Sequence, residues 1–267
     1  MASLAGVAAF AYPFLLPVIE PTAEERIRAG DAPLFFALIT VLSLAAILST
    51  LQEGHQEGQL QQAAKSTALL GVLVAVDATL RLVPTFLGAS PIFPLILLTG
   101  AVFGGAMGFQ MGALTLLVSA FLTGGVGPWL PFQMMTAGWV GLSAGLLPRF
   151  ASQRVRFWSL LALGAFWGFA YGAIMNLWTW PFAAPGLRED AGLYWNPSLG
   201  AAESLGRYAQ YYLVTSAGYD VFRAIANFVI LLAIGPAVMQ TLERFRRRFT
   251  WTRWTAFDTP ETKAEAR

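Results

Sequence analysis

Four charged side chains stand inside apolar runs, and they are where any chemistry of this chain would begin. Asp77 and Arg81 lie four residues apart; Asp220 and Arg223 lie three apart. Either spacing puts both partners on one face of a helix. Charges within a bilayer are costly and face a protein interior or a watery cavity. Each pair therefore reads as a local ion pair that fixes helix packing. A second reading has Arg81 and Arg223 offering cations to an anionic or polar solute near the outer face. A proton relay through Asp77 and Asp220 is the third.

Other chemistries are poorly supplied. The chain has no cysteine, which excludes disulfides, thiolate metal sites and cysteine nucleophiles, and its one histidine is His55. The run Gly141-Leu142-Ser143-Ala144-Gly145 fits the G-x-S-x-G pattern of serine hydrolases. That elbow needs a strand–turn–helix and a histidine base. Here the pentapeptide lies within an apolar helix, and His55 sits on a polar loop at the opposite end of the helix run. Small residues for packing explain it better. No G-x-x-x-x-G-K-[ST] loop is present, so the chain carries no recognisable ATPase. No catalytic residue, metal ligand or catalytic cofactor is expected.

Aromatic and amide side chains make a different kind of site. Trp129, Trp178, Trp180, Tyr194 and Trp195 all fall at one end of the expected helices, with Gln133 and Asn176 close by in sequence. Tryptophan and tyrosine belong to interfacial belts in most membrane proteins. Several convergent rings with a few polar groups also describe a small-molecule pocket. As a set, Trp129, Gln133, Asn176, Trp178, Trp180 and Arg81 are the expected lining.

The elements that must position these residues are membrane helices. Hydrophobic residues make up 56% of the 267 and charged residues 12%, with a mean hydropathy of +0.58. Soluble domains carry roughly 25% charge, so lipid is the solvent for most of this chain. Apolar runs predict spans near 4–19, 33–51, 66–84, 91–122, 129–147, 157–178 and 211–239. The first is read as a retained span, since it lacks a basic leader and a small-residue cleavage site. A span needs roughly 20 residues. The 91–122 run is longer and holds Gly104, Gly105 and Gly108 at its centre, so two helices joined by a tight turn are expected there. That gives an all-α polytopic membrane protein: an N-terminal helix pair with its loops (1–63), a six-helix core (64–240) and a basic cytoplasmic tail (241–267).

Arg244, Arg246, Arg247 and Arg248 follow the last span as a cytoplasmic stop; nucleic-acid binding is not expected. With the N-terminus inside, Lys65, Arg149, Arg154, Arg156 and the basic residues after Arg223 fall in the cytoplasm. Only Arg26, Arg28, Arg188 and Arg207 then lie outside. Two external connections, 20–32 and 179–210, stand out; the second is long and aromatic, as lids and binding loops are. Small residues at spacings of four mark close helix approach. Gly104, Gly108 and Gly112 form one such row, and Ala64 and Ala68, continued by Gly71 and Ala75, form another that suits a second membrane protein.

Leu80-Arg81-Leu82-Val83-Pro84, Phe86-Leu87-Gly88-Ala89-Ser90-Pro91, the glycine-rich helix pair, and Thr123-Gly124-Gly125-Val126-Gly127-Pro128-Trp129-Leu130-Pro131-Phe132-Gln133-Met134 carry a family resemblance. Over about 64–240 the chain resembles the S component of energy-coupling factor (ECF) transporters, the substrate-capturing subunits of ABC-type vitamin and micronutrient importers. The resemblance implies an S-component-like six-helix core in the cytoplasmic (inner) membrane, with the leading helix pair outside the usual pattern. It implies solute capture from outside, between external loops and outer helix ends. It also implies docking on a transmembrane coupling protein, the T component, that carries two cytoplasmic ATPases. The family's A-x-x-x-A docking motif matches Ala64 and Ala68. The whole subunit is then expected to topple in the membrane and present its solute to the cytoplasm. The resemblance leans toward the cobalamin-type members, with thiamine-like and other heterocyclic compounds open.

Three other classes compete. A proton-coupled secondary transporter would move solute alone through Asp77 and Asp220. An intramembrane enzyme would lose activity, with binding intact, on substitution of Ser143 or Asp220. An assembly factor would bind no ligand at all.

Overall fold

The computed structural model describes residues 60–83, 87–127, 129–148, 152–180, 193–195 and 199–249, with Ser3, Leu4, Gly6, Val7, Phe10 and Ala11 near the N-terminus. The expected spans near 4–19, apart from those residues, and 33–51 lie outside the described residues, as do His55 and the loop 20–32. From residue 60 onward the described residues form seven helices: α1 (Leu60–Leu80), α2 (Ile92–Phe103), α3 (Gly105–Thr123), α4 (Leu130–Ala144), α5 (Gln153–Thr179), α6 (Ala201–Thr215) and α7 (Ala217–Phe249). Among the described residues α3, α5 and α7 are long and apolar enough to cross a membrane.

The long apolar run divides as its glycines require. Gly104 ends α2 and begins α3 at φ 108°, a left-handed backbone that a residue with a Cβ resists. Its N–H still reaches the Gly100 carbonyl, so the turn costs no hydrogen bond there. The two helices turn back on each other and α4 packs along both.

Glycine makes that packing possible. A Cβ on Gly112 would lie 2.0 Å from the Ala137 carbonyl oxygen, and one on Gly108 would lie 2.4 Å from that of Gly141. Gly141 answers from α4: its Cβ would lie 2.0 Å from the Gly108 oxygen. Backbone therefore meets backbone along the α3–α4 seam, with Gly100 of α2 pressed against Gly141 as well. Lipid gives helices no hydrophobic reason to associate, so close van der Waals approach has to supply it.

A second seam joins α5 to α7, and the sequence reading did not anticipate it. Gly164, Gly168 and Gly172 recur at intervals of four on α5. Opposite them α7 presents Asn227, Arg223 and Asp220, three polar residues on one helical face. Asn227 donates to the Gly164 carbonyl at 3.0 Å and Arg223 to the Gly168 carbonyl at 3.1 Å.

One expectation fails. A continuous span beginning near 211 is interrupted at Ser216, and α6 occupies part of what reads as the 179–210 loop. Helix α6 is amphipathic where α7 is apolar, so the two halves prefer different surroundings. Asn176 fixes the break by donating to the Ser216 hydroxyl at 2.7 Å and to Thr215 at 3.3 Å. Ser143 of the hydrolase-like pentapeptide is a packing residue: it donates to the Val140 carbonyl and accepts from Trp167 Nε1 at 2.7 Å.

Replacing Gly141 with alanine should lower the thermal midpoint of the detergent-solubilised protein, at a cost of about 1–3 kcal/mol from overpacking. Gly206 of α6 has open space around it, so Gly206→Ala should be neutral or stabilise by about 0.5–1 kcal/mol through helix propensity. Unfolding curves of the two variants, measured side by side, check the contrast.

Candidate functional site

On the α1–α3 contact, side chains pair across the helices rather than along them. Asp77 accepts from Thr115 Oγ1 at 3.0 Å, and Arg81 donates to Ser119 Oγ at 3.0 Å. Residues 77 and 81 are one turn apart, as are 115 and 119, so the two bonds form neighbouring rungs. The ion pair expected between Asp77 and Arg81 is therefore not formed among the described residues. Asp77 is fully buried, and its Oδ1 has no hydrogen-bond partner among the described residues.

The other pair does form. Arg223 and Asp220 meet directly on α7. Tyr212 of α6 donates to Asp220 Oδ2 at 2.9 Å. The carboxylate occupies space that only glycine leaves, since a Cβ on Gly172 would fall 2.0 Å from it. Arg223 also donates from Nε to the Gly88 carbonyl at 3.3 Å, and its guanidinium lies 5.5 Å from the Tyr171 ring centre. One arginine thus ties the 87–91 turn, α5 and α7 together, and most of its donors are engaged within the fold.

The aromatic set separates into two groups with different work. Trp129, 38% exposed, folds over Gly127 and donates from Nε1 to the Gly125 carbonyl at 3.1 Å. Its ring meets Trp178 edge-to-face at 6.4 Å, and Trp178 continues to Phe132 at 5.7 Å. Phe10 extends the row, 4.9 Å from Phe132 and 5.7 Å from Trp139. Gln133 lies in the first turn of α4, where its N–H donates to the Trp129 carbonyl, and its buried Oε1 has no hydrogen-bond partner among the described residues. A buried acceptor without a donor costs free energy, roughly 1–3 kcal/mol, unless something supplies one.

Trp180 and Asn176 belong to the second group. Trp180 is 1% exposed, donates to the Leu193 carbonyl at 2.9 Å, and packs edge-to-face on Tyr208 at 5.3 Å. Tyr208 in turn donates to the Ala173 carbonyl. Together with Asn176 these residues clamp α6 onto the C-terminal end of α5. Tyr194 and Trp195 are half-buried on the segment that Trp180 holds.

On α1, Ala68, Gly71 and Ala75 lie on an exposed face with Val72 and Val76, and nothing among the described residues stands within contact of Gly71. The side chain of Ala64 lies outside the described residues. At the opposite end of the core, Arg156 and Arg246 donate to the carbonyls of Ala101 and Val102 at 3.2 and 3.1 Å. Those carbonyls close α2, where the helix dipole favours cations. The sequence reading gave Arg156 and Arg246 only a topological role and passed over Thr115, Ser119, Tyr171 and Tyr212. The four-residue spacing of Thr115 and Ser119, matching that of Asp77 and Arg81, was the available signal.

Replacing Arg223 with glutamine would leave Asp220 buried without its counter-charge. The expected loss is about 3–5 kcal/mol. The double variant Asp220→Asn/Arg223→Gln should recover a large part of that loss. Thermal midpoints of wild type, both single variants and the double variant measure the coupling.

Residues 65–238 match the family model described as ECF transporter, substrate-specific component. No curated protein matched, and no solved structure matched. The matched segment runs from α1 into α7, well over half of the chain, and takes in both glycine seams and every side chain of the two aromatic groups except Phe10. This multi-pass membrane protein belongs to the family of ECF transporter substrate-specific components.

Proposed function

We propose that this chain captures a vitamin or micronutrient at its outer end and delivers it through an ECF importer. A transmembrane coupling protein and two cytoplasmic ATPases would complete that importer in the cytoplasmic membrane. The observation that carries the reading is the Gln133 carbonyl oxygen, buried and unpartnered among the described residues, next in the chain to Phe132 of the Trp129–Trp178–Phe132 row. A solute that stacks on the rings and donates an N–H to Gln133 would satisfy both. A large or planar, amide-rich compound fits best, and a corrinoid such as cobalamin is our leading candidate. Trp180, Asn176 and Arg223 would act in this scheme by holding α6 and the 87–91 turn around the solute.

The small-residue face of α1, with Ala64, Ala68, Gly71 and Ala75, would dock on the coupling protein. The two glycine seams bind the core into a unit suited to toppling as one body. The domain division proposed from the sequence, 1–63, 64–240 and 241–267, assigns solute capture to the second part.

A second reading rests on Asp77, whose Oδ1 is unpartnered in the core among the described residues. A proton-coupled transporter would use such a group and would move solute without partners. Capture predicts that the purified chain binds its solute without ATP. It predicts uptake into vesicles only when coupling protein and ATPases are present. Uptake by the lone chain, driven by a pH gradient, would establish the second reading instead.

Gln133→Met keeps the volume and removes the stranded acceptor. It should leave the thermal midpoint unchanged or raised while weakening solute binding about tenfold. Calorimetric titration of compounds that co-purify with the protein measures this. Unchanged affinity would move the pocket away from Gln133.

A further inference from the structure

The family match begins at residue 65, yet part of the chain before it is built into the core. The described residues near the N-terminus, Ser3, Leu4, Gly6, Val7, Phe10 and Ala11, are helical. Leu4 and Val7 are exposed, while Ser3, Gly6 and Phe10, spaced three and four apart, meet α4. Ser3 Oγ accepts from Trp139 Nε1 at 3.3 Å. A Cβ on Gly6 would lie 2.6 Å from Met135 Cε and 2.9 Å from the Trp139 ring, so both side chains rest on the bare backbone there. Phe10, only 5% exposed, sets its ring edge-to-face against Phe132 at 4.9 Å, with 76° between the planes. Ser3 meets Trp139 and Phe10 meets Phe132, so the segment runs antiparallel to α4.

Lipid would cover the same face of α4 unaided. Acyl chains are as apolar as leucine, so burying Phe10 there gains little from the hydrophobic effect. A ring supplies what lipid does not, a fixed shape with a directional preference. Aromatic edges seek aromatic faces, and such pairs contribute beyond the area they bury. Phe132, the ring that Phe10 abuts, lies 5.7 Å from Trp178, and Trp178 lies 6.4 Å from Trp129. Phe10 therefore stands directly behind the row that the capture reading assigns to the solute.

We propose that the N-terminal segment is a working part of the capture site, with Phe10 as a positioning residue. Its ring, seated by Ser3 and Gly6, fixes the tilt of Phe132 and so the placement of Trp178 against the solute. This rests on the capture reading and carries the site beyond residues 64–240. A segment serving as an anchor alone would need no such pairing, since any apolar residue in place of Phe10 would serve equally in lipid.

The experiment titrates the full chain in nonionic detergent with cyanocobalamin, thiamine, riboflavin and biotin as probes. It repeats the titration on Phe10→Leu, on Phe132→Leu and on the double variant. Leucine keeps the apolar bulk and removes the ring, so the thermal midpoint of Phe10→Leu should stay close to that of wild type. For whichever probe binds the wild-type chain, Phe10→Leu should weaken binding about two- to tenfold. With Phe132 already leucine, Phe10→Leu should add no further loss, because the ring it acts through is gone. Gly6→Leu, which wedges the segment away from α4 with the Phe10 ring intact, should reproduce the loss. Unchanged affinity in Phe10→Leu and Gly6→Leu overturns the positioning role, makes the segment an anchor and leaves solute capture standing. A Phe10→Leu loss that is equally large in the Phe132→Leu background overturns it as well. A wild-type chain that binds none of these probes overturns the capture reading and this proposal together.

Discussion

Direct contact between helix backbones is the interaction on which the rest of this protein depends. Lipid tails are as apolar as leucine, so burial does not hold membrane helices together as it holds a soluble core. Here α3 meets α4 through Gly108, Gly112 and Gly141, and α5 meets α7 through Gly164, Gly168 and Gly172. The seams differ in kind. The first is nearly all backbone and small side chain. The second sets polar groups of α7 against glycine carbonyls of α5, so shape and hydrogen bonding are satisfied by the same residues.

That second seam also explains how charge is tolerated so close to the apolar core. Asp220 takes the room left by Gly172 and is bonded by Arg223 and Tyr212; Arg223 is bonded by two carbonyls and faces Tyr171. Each of these two charges has its partners on neighbouring elements. Removing the counter-charge from such a group is far more damaging than replacing the whole set. The same network reaches the 87–91 turn and α6, so the geometry at this end of the helices and the core packing are mechanically continuous.

Much of the architecture was legible in the sequence because lipid leaves so few choices. Apolar runs had to be helices, and the glycines in 91–122 had to mark a turn. The interruption at Ser216 was hidden: residues 211–239 read as one mostly apolar run, and Tyr211 and Tyr212 disguise the amphipathic end of α6. Side-chain roles were less legible. Spacing correctly joined Asp220 to Arg223 and wrongly joined Asp77 to Arg81, because helical spacing cannot tell that α3 offers Thr115 and Ser119 in matching register. Ring content placed Trp129 and Trp178 together, while the Trp180 ring went inward to Tyr208, a distinction that depends on where α6 lies.

Helix α2 has one further property. Its twelve residues advance roughly 18 Å, against a hydrocarbon layer of about 30 Å. A helix of that length cannot reach both faces of such a layer by itself, so protein has to finish what the backbone leaves open. Arg156 and Arg246 do this at its C-terminal end, where their guanidinium groups meet the last carbonyls.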